Sequence, residues 1–320
     1  MTPTSLSDLQ SQLSEHVIGQ SALIERLLIA LIADGHLLVE GAPGLAKTRA
    51  IKCLADRIEG DFHRIQFTPD LLPSDVTGTD IYRPQTATFE FQAGPIFHNL
   101  VLTDEINRAP AKVQSALLEA MAERQVSVGQ KSYPLPELFL VMATQNPIEQ
   151  EGTYPLPEAQ LDRFLMHVKV DFPGLEAERA ILRLSRREAS RHAPSTAPVR
   201  LSQSAIFEAR ESSLQLHMAD AVEDYIVRLT DATRNPGLYS QDLAQSIEFG
   251  VSPRGTISLD RCARAHALLQ QRDFVSPDDV VAVIHDVFRH RLLLSFEAEA
   301  NGVKADRVID ELLQVVAVAG

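Results

Sequence analysis

The sequence, 320 residues long, has no tryptophan, only two cysteines and few aromatic residues of any kind, 6% in all. Two thiols, Cys53 and Cys262, are too few to staple a disulfide-built fold, and no CxxC spacing offers zinc a tetrahedral site. A reducing cytosol suits this usage best. Basic charge is also scarce: 30 Lys and Arg against 43 Asp and Glu leave a net charge of −13, which argues against a protein that coats nucleic acid. Long apolar runs are missing too. The run at 27–33 falls well short of the roughly twenty residues that cross a bilayer, and the N-terminus lacks the basic and apolar regions of a secretory signal. The expectation is a soluble cytoplasmic protein with no membrane insertion.

What remains is an ordinary globular mix, 45% hydrophobic and 23% charged, of a length that suggests about two domains. From residue 37 short apolar runs alternate with amphipathic stretches, the pattern of βαβ units around a largely parallel sheet. Strands are expected at 37–40, 63–67, 96–103, 138–143 and 165–170. Residues 80–92 alternate polar and aromatic side chains, which reads as a small inserted hairpin or as an irregular surface loop. The turn Asp171-Phe172-Pro173-Gly174 marks a break, and beyond it the periodicity is helical at 175–191, 204–214, 220–234, 253–271 and 277–294. Ser252-Pro253 and Ser276-Pro277 each put a hydroxyl at an N-cap and proline at the first helical position, and Asp279 adds a capping box to the second. A Pro/Ser/Thr/Ala linker is read at 192–198. The chain is thus expected to divide into an α/β core over 1–172 and an all-helical part over 173–320.

Three clusters carry chemistry. The first, Gly41-Ala42-Pro43-Gly44-Leu45-Ala46-Lys47-Thr48, follows an apolar strand and opens a helical stretch. A phosphate needs converging backbone N–H groups, a helix N-terminus, an ammonium and a hydroxyl for Mg2+; Lys47 and Thr48 supply the last two. Ala46 stands where glycine is usual, which is tolerable if its φ stays negative. A glycine-rich turn with no ligand is the plainer alternative. The second cluster, Asp104 and Glu105, ends an apolar run: buried charge at a strand end is costly unless used or paired. Asp104 is expected in the Mg2+ shell and Glu105, pointing the other way along the strand, as the base that orients and deprotonates water. The third is Asn146-Pro147, which ends the next apolar strand. If that strand neighbours the second cluster's, Asn146 sits beside Glu105; otherwise Asn-Pro is a turn.

With these residues in place the chain resembles the AAA+ superfamily, specifically its MoxR family, from Val17-Ile18-Gly19-Gln20 to the helical end. The most specific stretches are 66–78, 104–110 running to 114–121, and 143–147 continuing to 154–164, which ends Leu161-Asp162-Arg163-Phe164. The resemblance implies a P-loop core with a parallel sheet flanked by helices, a helix-2-insert hairpin at 80–92 and a helical lid domain. It implies ATP and Mg2+ as cofactors, with alanine before the Walker lysine usual. Asn146 matches sensor 1, Arg163 the finger given to a neighbour's site, Arg254 the sensor 2 arginine of the lid, and Val17, Ile18 and Gly19 the segment against adenine. It implies an ATP-hydrolysing remodeller working as a homo-oligomeric ring, a hexamer, with a von Willebrand factor A domain partner and a client protein, in metal or cofactor insertion. A non-turnover ATP switch and a nucleic-acid motor are the competing readings; Glu105, Asn146 and Arg163 together speak against the first and the acidic charge against the second. Outside the motifs, Arg179, Arg183, Arg186, Arg187 and Arg191 recur at helical spacing, either a docking face or a solvated one balanced by Glu176, Glu178 and Glu188. His98 and His290 have no partner spacing for a metal and read as structural.

Overall fold

The computed structural model describes residues 6–147, 152–189 and 200–318. The linker expected at 192–198 and the last two residues of the helix expected over 175–191 lie outside the described residues. The strands are β1 (Leu37–Glu40), β2 (Phe62–Gln66), β3 (Gly78–Arg83), β4 (Thr88–Ala93), β5 (Leu100–Asp104), β6 (Gln125–Val128), β7 (Lys131–Pro134), β8 (Leu140–Gln145), β9 (Met166–Lys169), β10 (His217–Met218), β11 (Ile247–Phe249), β12 (Phe274–Val275) and β13 (Leu293–Leu294). The helices are α1 (Leu6–His16), α2 (Ser21–Ile32), α3 (Lys47–Ala55), α4 (Pro73–Thr77), α5 (Ala111–Glu123), α6 (Glu158–Leu161) and α7 (Leu175–Ala189). They continue with α8 (Gln203–Gln215), α9 (Asp220–Arg234), α10 (Gln241–Ser246), α11 (Pro253–Leu269), α12 (Pro277–Phe288), α13 (Phe296–Ala300) and α14 (Ala305–Val315). No helix among the described residues is long and apolar enough to cross a membrane.

The chain forms two compact units. Unit one comprises Met1–Leu28, His36–Leu156 and Val168–Ile206; unit two comprises Ile29–Gly35, Pro157–His167 and Phe207–Gly320. Among the described residues, 173–189 and 200–206, expected with the helical part, group with unit one, and Pro157–His167 with unit two.

A five-stranded sheet in the order β2-β5-β8-β1-β9 organises unit one, and β2/β5, β5/β8 and β8/β1 are parallel. Central strands covered on both faces need continuous apolar sequence, and Leu37 to Val39, Leu100 to Leu102 and Val141 to Ala143 are fully buried. Each Leu, Val or Met side chain so removed from water contributes about 1.5–3 kcal/mol. The register pairs Gln66 with Asp104, Thr103 with Ala143 and Glu40 with Gln145, so the carboxyl ends of four strands come level. The strand expected at 96–103 is shorter, because Pro95–Phe97 is a 3-10 turn and pairing starts at Leu100. The inserted hairpin is present as antiparallel β3/β4. A second hairpin, β6/β7, was not foreseen; its turn is made by Gly129 at φ +61°, and Tyr133 stacks on Phe91 of the first hairpin.

In unit two α9, α11, α12 and α14 pack on one another through Leu229, Leu259, Val283 and Leu312, all fully buried. The expected absence of strands there is corrected by two short ladders, β10/β12 and β11/β13, of two or three residues per strand. Runs so short carry no periodicity of their own. The helix expected over 277–294 stops at Phe288, since residues 293 and 294 pair with β11.

Candidate nucleotide site

The loop between β1 and α3 carries two left-handed residues, Gly44 at φ +85° and Ala46 at φ +58°. The condition under which alanine was read as tolerable at this position, a negative φ, is not met. Ala46 is the N-cap of α3, where the first N–H groups of the helix have no partner within it, and an alanine held in the left-handed region carries about 1–3 kcal/mol of backbone strain. Gly41 is needed for space, since a Cβ there would lie 2.8 Å from the carbonyl oxygen of Val170. The Lys47 ammonium donates to the carbonyl oxygens of Gly41 and, at 3.2 Å, Ala42. Burial lowers its pKa from the ordinary lysine value, against the opposing pull of Asp104, Glu105 and Glu40.

Asp104 ends β5, and its Oδ1 accepts from the Thr144 hydroxyl at 2.6 Å. Its Oδ2 accepts from Arg64 on β2, at 2.5 Å from Nη2 and 3.1 Å from Nε. Glu105 lies beyond the strand in a left-handed turn at φ +57°, so the expected strand alternation does not set its direction. The turn lets its N–H reach Thr144 Oγ1 at 3.0 Å, while its carboxylate accepts from Gln66 Nε2 at 3.0 Å and pairs with Arg108 at 3.1 Å. Asn146, nearly buried, follows β8, which neighbours β5 as the parallel reading required. A cavity of about 400 Å³ is lined by Leu45 to Thr48, Arg64, Asp104, Glu105 and Thr144 to Asn146. Ala42 is not among the lining residues, whereas Pro43 and Gly44 are.

Pro43 to Ala46 also border a second cavity of about 490 Å³, walled by Ile18, Gln20, Phe172, Pro173, Ile181 and Leu184. Of the segment expected against a base, Ile18 lines it, Val17 is buried in the core, and Gly19, at φ +77°, lies against Pro173 and Ala177. Arg49 donates to the His16 carbonyl at 2.7 Å and pairs with Glu188 of α7, bracing the wall of this cavity. One space thus offers backbone donors, an ammonium, a hydroxyl and carboxylates, and the other an apolar slot. A nucleoside triphosphate with Mg2+ fits this donor set, with Thr48 and Asp104 as the residues able to hold the metal.

Arg163, half-buried after α6, and Arg254, exposed at the second position of α11, belong to unit two and line neither cavity. Arg64 and Gln66 were missed by sequence reasoning. The signal available was the polar face of the edge strand Phe62–Gln66, opposite buried Ile65. Arg179 pairs with Glu176 at 2.6 Å, and Arg191 lies outside the described residues. His98 bonds the Pro95 carbonyl and lies with its ring tilted 36° against that of His63, and buried His290 bonds the Phe164 carbonyl. No metal-binding cluster of His, Cys, Asp or Glu occurs among the described residues.

Comparison with known proteins agrees with this geometry. Residues 36–166 match the family model described as "ATPase family associated with various cellular activities (AAA)", and residues 240–312 match the AAA lid domain. The chain is 48% identical to Chaperone MoxR1 of Mycobacterium tuberculosis over 94% of its own length and 79% of that protein. It is 34% identical to Protein MoxR of Paracoccus denitrificans over 90% and 88%. A crystal structure from Cytophaga hutchinsonii superposes with a TM-score of 0.91 at 44% identity, covering 98% of this chain and 95% of that one. A parallel-sheet core with this loop and these strand ends, a helical second unit and relatives matched nearly end to end make the chain a member of the MoxR family of AAA+ ATPases.

Proposed function

We propose that the chain hydrolyses MgATP to ADP and phosphate as a cytoplasmic homo-oligomeric ring, a hexamer, and uses the cycle as a chaperone that assembles or activates a client protein. A von Willebrand factor A domain protein is the proposed partner, and metal or cofactor insertion the proposed task. The observation that supports this reading is that Lys47, Thr48, Asp104, Glu105 and Asn146, from three separate stretches of chain, border one cavity at the carboxyl ends of parallel strands. Ligands of open α/β sheets bind there because strand ends leave a crevice that loops can furnish.

In this reading Lys47 and the N–H groups at the start of α3 bind the phosphates, and Thr48 and Asp104 hold Mg2+. The bound metal supplies charge neutralisation for the leaving oxygens. Glu105 takes the proton of the attacking water, and Asn146 orients that water without adding charge. Gln66 holds the Glu105 carboxylate in the crevice. Arg163 completes a neighbour's site, and Arg254 meets the phosphates from the lid; a guanidinium presents fixed donors to the developing charge.

The test is ATP hydrolysis per chain as a function of protein concentration, with Arg163→Ala alone and mixed with Glu105→Gln. A specific rate that climbs with concentration, and partial activity when the two inactive variants are combined, is the expected result. A flat rate indifferent to Arg163 would remove the ring mechanism, and stable retention of ATP over hours would turn the reading into a switch.

A further inference from the structure

Ser252 is placed by its sequence at the N-cap of α11, yet its hydroxyl makes no bond to that helix. It donates instead to both oxygens of Asp162, at 3.1 and 3.0 Å. Asp162 is the residue before Arg163 and caps the C-terminal end of the one-turn helix α6. What holds it there is Arg291, whose side chain is 2% exposed and whose Nε donates to Asp162 Oδ1 at 2.8 Å. The rest of that guanidinium donates to the carbonyl oxygens of Phe164 at 2.6 Å and Leu165 at 3.1 Å. Arg291 thus grips the chain on both sides of Arg163.

The second end of the network is equally constrained. Gly255 follows Arg254, and a Cβ at that position would lie 2.1 Å from Val251 Cγ1 and 3.0 Å from Arg291 Cδ. The absence of a side chain is what lets the Arg291 stem pass beneath the first turn of α11. A buried guanidinium with a carboxylate and several carbonyls around it has one well-defined arrangement, because breaking any contact leaves a buried charge short of partners.

We propose that Asp162 is a positioning residue that locks Arg163 and Arg254 into one rigid piece, through Ser252 to the start of α11 and through Arg291 to the segment that carries Arg163. The two arginines then move toward or away from bound nucleotide together. This rests on the reading in which both act on phosphate.

Ser252→Ala is the mildest probe, since it leaves the buried pair of Asp162 and Arg291 intact. It is expected to lower kcat about tenfold with little change in KM for ATP, because a small misplacement of a transition-state group is read in turnover. Ser252→Thr, which keeps the hydroxyl, is expected to restore the rate. In double variants Ser252→Ala costs less than its full factor once Arg163→Ala or Arg254→Ala is present and adds nothing when both are, and Asp162→Asn behaves the same way. If both arginine variants lose activity while Ser252→Ala keeps the wild-type kcat, or multiplies independently with them, the coupling is overturned and the arginine roles stand. If both arginine variants turn over at the wild-type rate, the reading of the site fails and the coupling falls with it.

Discussion

Asp104 in unit one and Asp279 in unit two each meet an arginine at short range, in surroundings that differ at every other point. Asp104 keeps 14% of its side chain exposed, and its partner Arg64 is half exposed; the neutral hydroxyl of Thr144 bonds its other oxygen, and Lys47 lies within its electrostatic reach. Asp279 is fully buried and is bonded by Arg272, by His266 Nδ1 at 2.6 Å and by the backbone N–H and hydroxyl of Ser276 at 2.8 and 2.9 Å. One carboxylate can exchange its cation for another; the other is saturated by groups that cannot leave. In the proposed reading the carboxylate that holds the metal keeps a solvated partner, whereas the one that builds the fold is closed in.

The sharpest way to break this contrast is to neutralise one acid from each region. Glu105→Gln is expected to cut kcat by about a hundredfold to ten-thousandfold, the usual contribution of a positioned base, with ATP binding and melting temperature unchanged. A drop in stability of the same size as that of a core variant would make Glu105 a structural residue. Asp279→Ala is expected to do the opposite. It strips a buried carboxylate from Arg272, and unfolding free energy measured in urea falls by about 3 kcal/mol, while turnover per folded molecule is retained. Loss of turnover in a fully folded Asp279→Ala protein would erase the distinction.

How far the sequence announced each region follows the same line. The phosphate loop, the acid pair and Asn146 were legible because each is a short contiguous string whose chemistry survives without tertiary context. The capping box of Ser276 and Asp279 was legible for the same reason, whereas its union with His266 and Arg272 was not. Arg291 gave no local signal: it is one basic residue in a basic stretch, and only packing reveals that it grips Asp162 and Phe164. Ser252 was read as a helix cap, and a carboxylate ninety positions away captured its hydroxyl. Ala46 was read as tolerable only at negative φ, and the loop holds it at φ +58° all the same. The β6/β7 hairpin, two four-residue strands, offered too few alternations to be seen against a helix end.

Acid titration sharpens the contrast further. Burial alone pushes the Asp279 carboxyl up, but its bonds to His266, Arg272 and Ser276 outweigh burial and hold it well below the usual carboxylate range. The unfolded chain therefore takes up this proton first as pH falls, so the stability Asp279 contributes is complete above about pH 4 and is lost below it. His290 acts earlier. Desolvation and the neighbouring Arg291 and His167 keep its imidazole neutral well below its ordinary range, so stability declines as pH falls through about 6.5, where the unfolded histidine becomes charged. Unfolding followed from pH 8 to 3 should show two stages of decline, and His290→Gln should reduce the first alone, the remainder coming from His16 and His63, whose pKa burial also lowers. A profile unchanged by that variant would assign the first stage elsewhere.

The smallest effect is expected at Ala46. Glycine relieves the left-handed strain there, worth about 1–3 kcal/mol, but gives the unfolded chain more freedom, worth about 0.4–1 kcal/mol in the other direction. Ala46→Gly should therefore be neutral to stabilising, by no more than about 2.6 kcal/mol, with ATP affinity preserved because the N–H groups of the loop keep their aim. Ala46→Val has the opposite sign, as a branched side chain at φ +58° crowds the following carbonyl. It should weaken ATP binding and stability together, since the backbone must relax out of the turn that both require. If valine proved as stable as alanine, the turn would be adaptable, and the strain at the phosphate loop would play no part in shaping it.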